Sequence, residues 1–336
     1  MSKHTIVLIP GDGIGPEVSS AARRVLDAAG FDAQWIEVPA GATAVEQGHG
    51  NVLPDLTIDA IKQHRIALKG PVTTPVGKGF KSVNVQLRQK LGLYAAVRPV
   101  RNMAGVKTWF DGVDMVIVRE NTEGLYSGIE NEITPGVVTS LKVATETACK
   151  RIARYAFKYA LQRNRRKVTV FHKANIMKLT DGMFIACAKL VREQEFPGVD
   201  YEEMIIDAGC MKLVQDPTRF DILLMENLYG DLVSDLCAGL VGGLGVTPGA
   251  NIGEDYAVFE AVHGSAPDIA GQNKANPLAM IISGVMMLNH IGETAIGEKI
   301  KAAYNAVIAE AKTTTRDLGG TAGTREFTDA IIAKLK

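Results

Sequence analysis

Five short apolar runs recur at strand length along the chain, at residues 5–9, 115–118, 168–171, 204–206 and 222–225. Each is followed by a polar turn and a stretch with helical periodicity. Strands that are apolar throughout need cover on both sides, so they belong to a sheet with helices on both faces. The expected class is therefore α/β. The first run leads into a glycine-rich turn at residues 11–15, then into a helix with Pro16 in its first turn and Val18, Ala22, Val25 and Leu26 on one face. The clearest helix is residues 145–163, where Ala148, Ile152, Ala156 and Ala160 share one face and Lys150, Arg154 and Lys158 another. Residues 239–253 and 262–271 are glycine-rich and expected to be loops.

A chain of 336 residues suggests two domains. Lys+Arg and Asp+Glu are both 37, and a zero net charge argues against general nucleic-acid binding. The basic run on the 145–163 helix then reads as a solvated face. The longest apolar stretch, residues 278–288, contains Ser283 and Gly284 and is too short to span a bilayer, so it is expected to be a buried helix. The start, MSKHTIVLIPGDG, has neither signal-peptide nor transit-peptide character, and a cytoplasmic protein is expected. Cys149, Cys187, Cys210 and Cys237 form no CxxC pair and read as reduced core residues.

Gly11-Asp12-Gly13-Ile14-Gly15 after a strand invites a dinucleotide fingerprint, with Glu37 as the ribose acid. The third glycine of that fingerprint falls on Pro16, so an ordinary Rossmann domain is not expected. More telling are the arginines. Arg88 follows Ser82 and Asn84 in SVNVQLR, Arg98 and Arg101 lie in VRPVR, and Arg119 ends an apolar strand. Arginine pairs bidentately with carboxylates, so this set suits a substrate with several of them, although scattered surface ion pairs would read the same way. Asp207 ends the expected strand 204–206, and Asp231 and Asp235 lie four apart at the start of a helix and share a face. A carboxylate-only set selects Mg²⁺ or Mn²⁺. Complementing the helix dipole would explain Asp231 alone. Tyr126 and Lys173, each beside a strand end or turn, are candidates for proton transfer.

The segments IPGDGIGPE, RENTEGLYSG, HKANIMK, NLYGDLVSDLCAGLVGGLG and VHGSAPDIAG resemble, in order and spacing, those of the β-decarboxylating dehydrogenases of isocitrate, isopropylmalate, homoisocitrate and tartrate. The resemblance covers the chain from Ile6 onward. It implies the isopropylmalate/isocitrate dehydrogenase-like fold, with two α/β domains and an interdomain active-site cleft. Residues 1–97 plus 252–336 would form the large cofactor-binding domain. Residues 98–251 would form the small one, with the substrate and metal residues and the dimer interface. It further implies a homodimer or higher homo-oligomer with shared active sites, Lys173 and Asp207 serving the neighbour's site. Arg88, Arg98 and Arg119 match the substrate-carboxylate clamps, and Asp207, Asp231 and Asp235 the metal ligands. Lys173 matches the group that assists loss of the hydroxyl proton, and Tyr126 the acid that protonates C3.

Within the family, Ser82 and Asn84 fit members that use isocitrate, since a polar site rejects an isopropyl group. Cofactor choice rests on Asp268 and Ile269, where one NADP-using branch carries Lys and Tyr; Asp268 would accept from ribose hydroxyls and repel a 2′-phosphate. Thr73, His263, Gly264, Ser265, Ala266, Asn276 and Asp317 match the remaining cofactor positions. The expectation is NAD-dependent oxidative decarboxylation of isocitrate to 2-oxoglutarate and CO₂, assisted by Mg²⁺ or Mn²⁺, in the tricarboxylic acid cycle. The alternatives are homoisocitrate or isopropylmalate as substrate, or a non-catalytic regulatory subunit. No nucleic-acid or membrane partner is expected.

Overall fold

The computed structural model describes residues 3–74 and 81–336. It contains two compact units, one of Met1–Leu93, Asn102–Trp109 and Val241–Lys336, the other of Tyr94–Arg101 and Phe110–Leu240. These edges are not those expected at 97/98 and 251/252. They follow the packing of strand Ala95–Arg101 and helix Asn227–Leu240, which no change in composition marks.

The first unit begins with β1 (His4–Ile9), α1 (Gly15–Ala28), β2 (Ala33–Glu37), α2 (Ala42–Glu46), α3 (Asp55–His64), β3 (Ile66–Lys69) and α4 (Val83–Lys90). The second comprises β4 (Ala95–Arg101), β5 (Asp114–Glu120), β6 (Glu130–Thr134), β7 (Val137–Ser140), α5 (Glu146–Gln162), β8 (Lys167–His172), α6 (Thr180–Glu195), β9 (Asp200–Ile205), α7 (Ile206–Gln215), β10 (Ile222–Met225) and α8 (Asn227–Leu240). The chain then returns to the first unit as β11 (Pro248–Ile252), β12 (Ala257–Ala261), α9 (Leu278–His290), α10 (Thr294–Glu310) and α11 (Thr324–Ala333).

In the first unit the strand order is β2-β1-β3-β12-β11, parallel except for β11 against β12. Successive residues Ile6, Val7, Leu8 and Ile9 are all buried, so both faces of β1 are covered. Val7 and Ile9 meet Ile58 and Ile61 of α3 and Val83 and Leu87 of α4. Helix α9, the buried apolar helix expected from its sequence, packs on β11 and β12, and α1 packs on α9. Residues 239–253 are not one loop. They hold the end of α8, a short turn and the buried strand β11. Proline, glycine and alanine open that strand, so β-branched enrichment is missing, and the pairing to β12 with the contact to α9 overrides the local signal.

In the second unit the order is β4-β5-β10-β8-β9, parallel except for β4 against β5. Strand β9 starts earlier than the run 204–206, because an edge position tolerates Glu202 and Glu203. Asp207 accordingly lies in the first turn of α7 and not at a strand end. Thr145 caps α5, its hydroxyl accepting from the Ala148 N–H at 3.2 Å. The basic face of α5 is tied to acids, Lys150 to Glu146 and Arg154 in a fork to Glu195. All four cysteines are free, with Cys149, Cys187 and Cys237 buried. Among the described residues no helix is long and apolar enough to cross a membrane.

The buried face of α5 also carries Phe157, fully enclosed and stacked on Phe196 at 5.8 Å. Phe157→Ala should cost roughly 3–5 kcal/mol in denaturant unfolding, whereas Leu161→Ala on the exposed face should stay within about 0.5 kcal/mol.

Candidate active site

Five of the expected residues meet in the second unit, around Arg119. This side chain leaves β5 fully buried. Its Nε and Nη2 donate to Asn227 Oδ1 at 3.0 and 2.6 Å, and Nη1 pairs with Asp231. The guanidinium lies 5.1 Å from the Tyr126 ring centroid. Helix α8 can come this close only because residue 230 is glycine, since a β-carbon there would overlap the stem of Arg119. The helix begins at Asn227, so Asp231 sits in its second turn, which weakens the helix-dipole explanation for that residue. The Tyr126 hydroxyl donates to Asp231 Oδ2 at 2.5 Å. From β4, Arg98 reaches Asp231 at 3.6 Å, Asp235 at 3.2 Å and the Ser234 hydroxyl. Arg101 ends β4 and is half-buried.

Lys173 and Asp207 pair elsewhere in the same unit, Nζ to Oδ1 at 2.6 Å. The hydrogen bond from Lys173 holds the Asp207 carboxyl below the usual range. Among the described residues no three His, Cys, Asp or Glu side chains gather as a metal site within one chain. One chain therefore brings together Asp231 and Asp235 but not Asp207. Burial pushes the Asp235 carboxyl up, Arg98 opposes this, and the neighbouring Asp231 adds to it. Two carboxylates held four residues apart at the cost of mutual repulsion are a donor pair that a hard cation fits.

Behind Lys173 lies a buried cluster that the sequence did not reveal. The Lys173 N–H donates to Asp181 Oδ2 at 2.7 Å. Asp181 and Glu226 both pair with Lys142, whose ammonium lies 4.8 Å from the Tyr229 ring centroid. Burial pushes the Glu226 carboxyl up to about 7 in spite of Lys142. Its signal was one lysine in a stretch of mixed polarity, which carries no motif.

The first unit holds the other candidates. Ser82 is the N-cap of α4, its hydroxyl accepting from the Val85 N–H at 3.5 Å. Asn84 follows in the first turn, and its Oδ1 is buried without a partner among the described residues. Arg88 is buried one turn on. Thr73 and Ser265 share a hydrogen bond between their hydroxyls at 2.7 Å. Gly264, Ser265 and Ala266 lead into the short turn holding Asp268 and Ile269, and Ala266 has a left-handed backbone, φ 37°. His263 Nδ1 lies 3.0 Å from the Gly264 carbonyl, Nε2 is buried without a partner among the described residues, and burial lowers the ring's pKa. A neutral ring suits packing against a flat heterocycle. Asn276 Nδ2 donates to Asp317 Oδ2 at 2.8 Å, and the Thr315 hydroxyl to Asp317 Oδ1 at 2.6 Å. A further buried pair was missed: Lys69 on β3 meets Glu260 on β12 at 2.6 Å. Burial pushes the Glu260 carboxyl up, but Lys69, Arg88 and Asn251 outweigh it and hold it at about 2.

The family model for isocitrate/isopropylmalate dehydrogenase matches residues 5–331. The mitochondrial isocitrate dehydrogenase [NAD] catalytic subunit 5 of Arabidopsis thaliana is 51% identical over 98% of this chain and 88% of its own. A mitochondrial isocitrate dehydrogenase [NAD] regulatory subunit of Dictyostelium discoideum is 48% identical over 98% of this chain and 91% of its own. The crystal structure of isocitrate dehydrogenase from Methylococcus capsulatus superimposes with a TM-score of 0.95 at 50% identity, covering 99% of both chains. Fold and relatives together define an α/β dehydrogenase outside the ordinary dinucleotide-binding class. The chain belongs to the isocitrate/isopropylmalate dehydrogenase family.

The Glu226 cluster makes a pH prediction. A carboxyl that keeps its proton up to about 7 when folded, but only to about 4.5 when unfolded, favours folding below that lower value. The advantage is lost as pH rises through the folded value. Wild type should therefore lose stability relative to Glu226→Gln between about pH 4.5 and 7, by on the order of 2–3 kcal/mol in denaturant titrations.

Proposed function

We propose that this chain catalyses the NAD-dependent oxidative decarboxylation of isocitrate to 2-oxoglutarate and CO₂, the step of the tricarboxylic acid cycle. The observation that carries the proposal is the Tyr126 hydroxyl on Asp231, 2.5 Å away, between Arg98 and Arg119. A proton donor is thereby held among two carboxylate-binding cations and two hard-metal ligands. Arg88, Arg98 and Arg119 take the carboxylates of the substrate, and Ser82 and Asn84 donate to the γ-carboxylate. The half-buried Asn84 side chain sits in the first turn of α4, and a substrate with no acceptor there would leave its NH₂ group unpaired. Lys173 assists removal of the hydroxyl proton through water, and Tyr126 delivers a proton to C3 once CO₂ has left.

Asp231 and Asp235, with Asp207 of a second copy, would hold Mg²⁺ or Mn²⁺, which supplies Lewis-acid polarisation of the substrate oxygen. NAD would accept the hydride against Thr73, His263, Gly264, Ser265 and Ala266. Asp268 and Ile269 would exclude a 2′-phosphate, and Asn276 and Asp317 would support the adenosine end. A homo-oligomer with shared sites would account for Lys173 pairing with Asp207 while Tyr126 pairs with Asp231. Ile176, Leu179, Met211 and Leu232 are large, apolar and exposed on the second unit, which suits cover by another copy.

A second reading has support in the names of the relatives: the Dictyostelium protein is a regulatory subunit, which suggests a chain that works in a mixed assembly. One assay separates the two. The purified chain, given isocitrate and Mg²⁺, should form reduced nicotinamide with NAD roughly tenfold or more faster than with NADP, the scale of one uncompensated charge contact. Silence that only a different partner chain relieves would favour the mixed assembly. For the shared site, Lys173→Met and Tyr126→Phe subunits should each be nearly inactive and regain partial activity on mixing. Verified hybrids without recovery would rule out sharing.

A further inference from the structure

The glycine-rich turn between β1 and α1 has no part in the chemistry above, and the amides of Asp12, Ile14 and Gly15 are already taken. The Asp12 N–H donates to the Pro71 carbonyl and the Ile14 N–H to the Ser265 carbonyl, each at 2.8 Å. Amides bonded to the protein's own carbonyls are not offered to a phosphate, so these positions hold the fold together. Glycine at position 13 lets the Ser265 carbonyl approach, since a β-carbon would occupy its place.

The carboxylate of Asp12 is buried, with the residue only 5% exposed. Oδ2 accepts from the Thr73 N–H at 2.6 Å and the Ala42 N–H at 3.0 Å. Oδ1 accepts from the Thr43 N–H at 2.8 Å and the Thr43 hydroxyl at 2.6 Å. Four neutral donors stand where a salt bridge would be usual. One turn thus grips three segments at once: the backbones of Thr73 and of Ala42 and Thr43 through its side chain, and the backbone of Ser265 through its main chain. Thr73 and Ser265 are themselves joined through their hydroxyls.

We propose that Asp12 is a positioning residue for the dinucleotide: it sets the spacing between the Thr73 and Ser265 segments, so that NAD meets them already arranged. The proposal rests on the assignment of those two residues to the cofactor. Preorganisation of this kind acts on cofactor affinity, because a loosened segment must be reordered at the moment of binding. It has no direct hold on isocitrate.

Asp12→Asn keeps the shape and replaces one acceptor oxygen by an NH₂ group that faces N–H donors. Calorimetric titration should show the Kd for NAD raised roughly tenfold, with the KM for isocitrate at saturating NAD within about twofold of wild type. Thr43→Val, which removes only the hydroxyl donor, should raise the NAD Kd about two- to threefold and leave isocitrate KM unchanged. A structural role alone would lower Tm but leave the NAD Kd where it was in the folded protein, and that result overturns the proposal. So does a parallel rise in isocitrate KM, which would mean general loosening. If Asp12→Asn does not fold, an unaltered NAD Kd in Thr43→Val has the same force. Wild type that takes up no NAD in the titration would instead overturn the cofactor assignment, and the proposal with it.

Discussion

A guanidinium with no exposed surface is the constraint from which the second unit's site is built. Removing a charge from water costs several kcal/mol unless its hydrogen-bonding capacity is met. Arg119 meets it with Asn227, Asp231 and the face of Tyr126. Those contacts require α8 to lie directly on β5, and glycine at 230 is what allows it. Once α8 is seated there, Ser234 and Asp235 are carried to Arg98 without further provision, because they lie on the same helix face. Proton donor, acidic pair and cations are therefore one packing solution, and a change to any one of them bears on the rest.

The first unit handles buried charge differently. Lys69 and Glu260 neutralise one another across β3 and β12, and Asn251 satisfies the remaining oxygen at 2.7 Å. Asp12 has no cation among its partners and is held by amides and one hydroxyl. A buried carboxylate bonded this way is sensitive to backbone geometry to a degree that an ion pair is not, because each N–H must point at it.

Much of this was legible in the sequence, for identifiable reasons. Strand β10 and helix α5 stand within a residue of where their periodicity puts them, since long or continuous apolar signals resist tertiary override. Tyr126, Arg119, Asp231 and Asp235 could be named because each sits in a short segment dense with polar residues beside an apolar strand. Strand β11 was missed because Pro, Gly and Ala carry no strand signal of their own. Asp207 was misplaced, in a helix turn and not at a strand end, because β9 is an edge strand whose polar residues hide its start. The cluster of Lys142, Asp181 and Glu226 could not have been seen: its members are scattered along the chain, and only the packing around α6 and α8 brings them together.

The order of elements along the chain has a consequence for how the protein is made. Strand β3 pairs with β12, yet about 190 residues separate Lys69 from Ala257 (257 − 69 = 188). A ribosome adds roughly 5–20 residues per second, so β3 waits on the order of ten seconds or more for the strand that covers its edge. The second unit, by contrast, needs little beyond residues 94–240 and can close its sheet first. During that interval the nascent chain displays an apolar parallel edge, the kind of surface on which aggregation starts and to which chaperones bind.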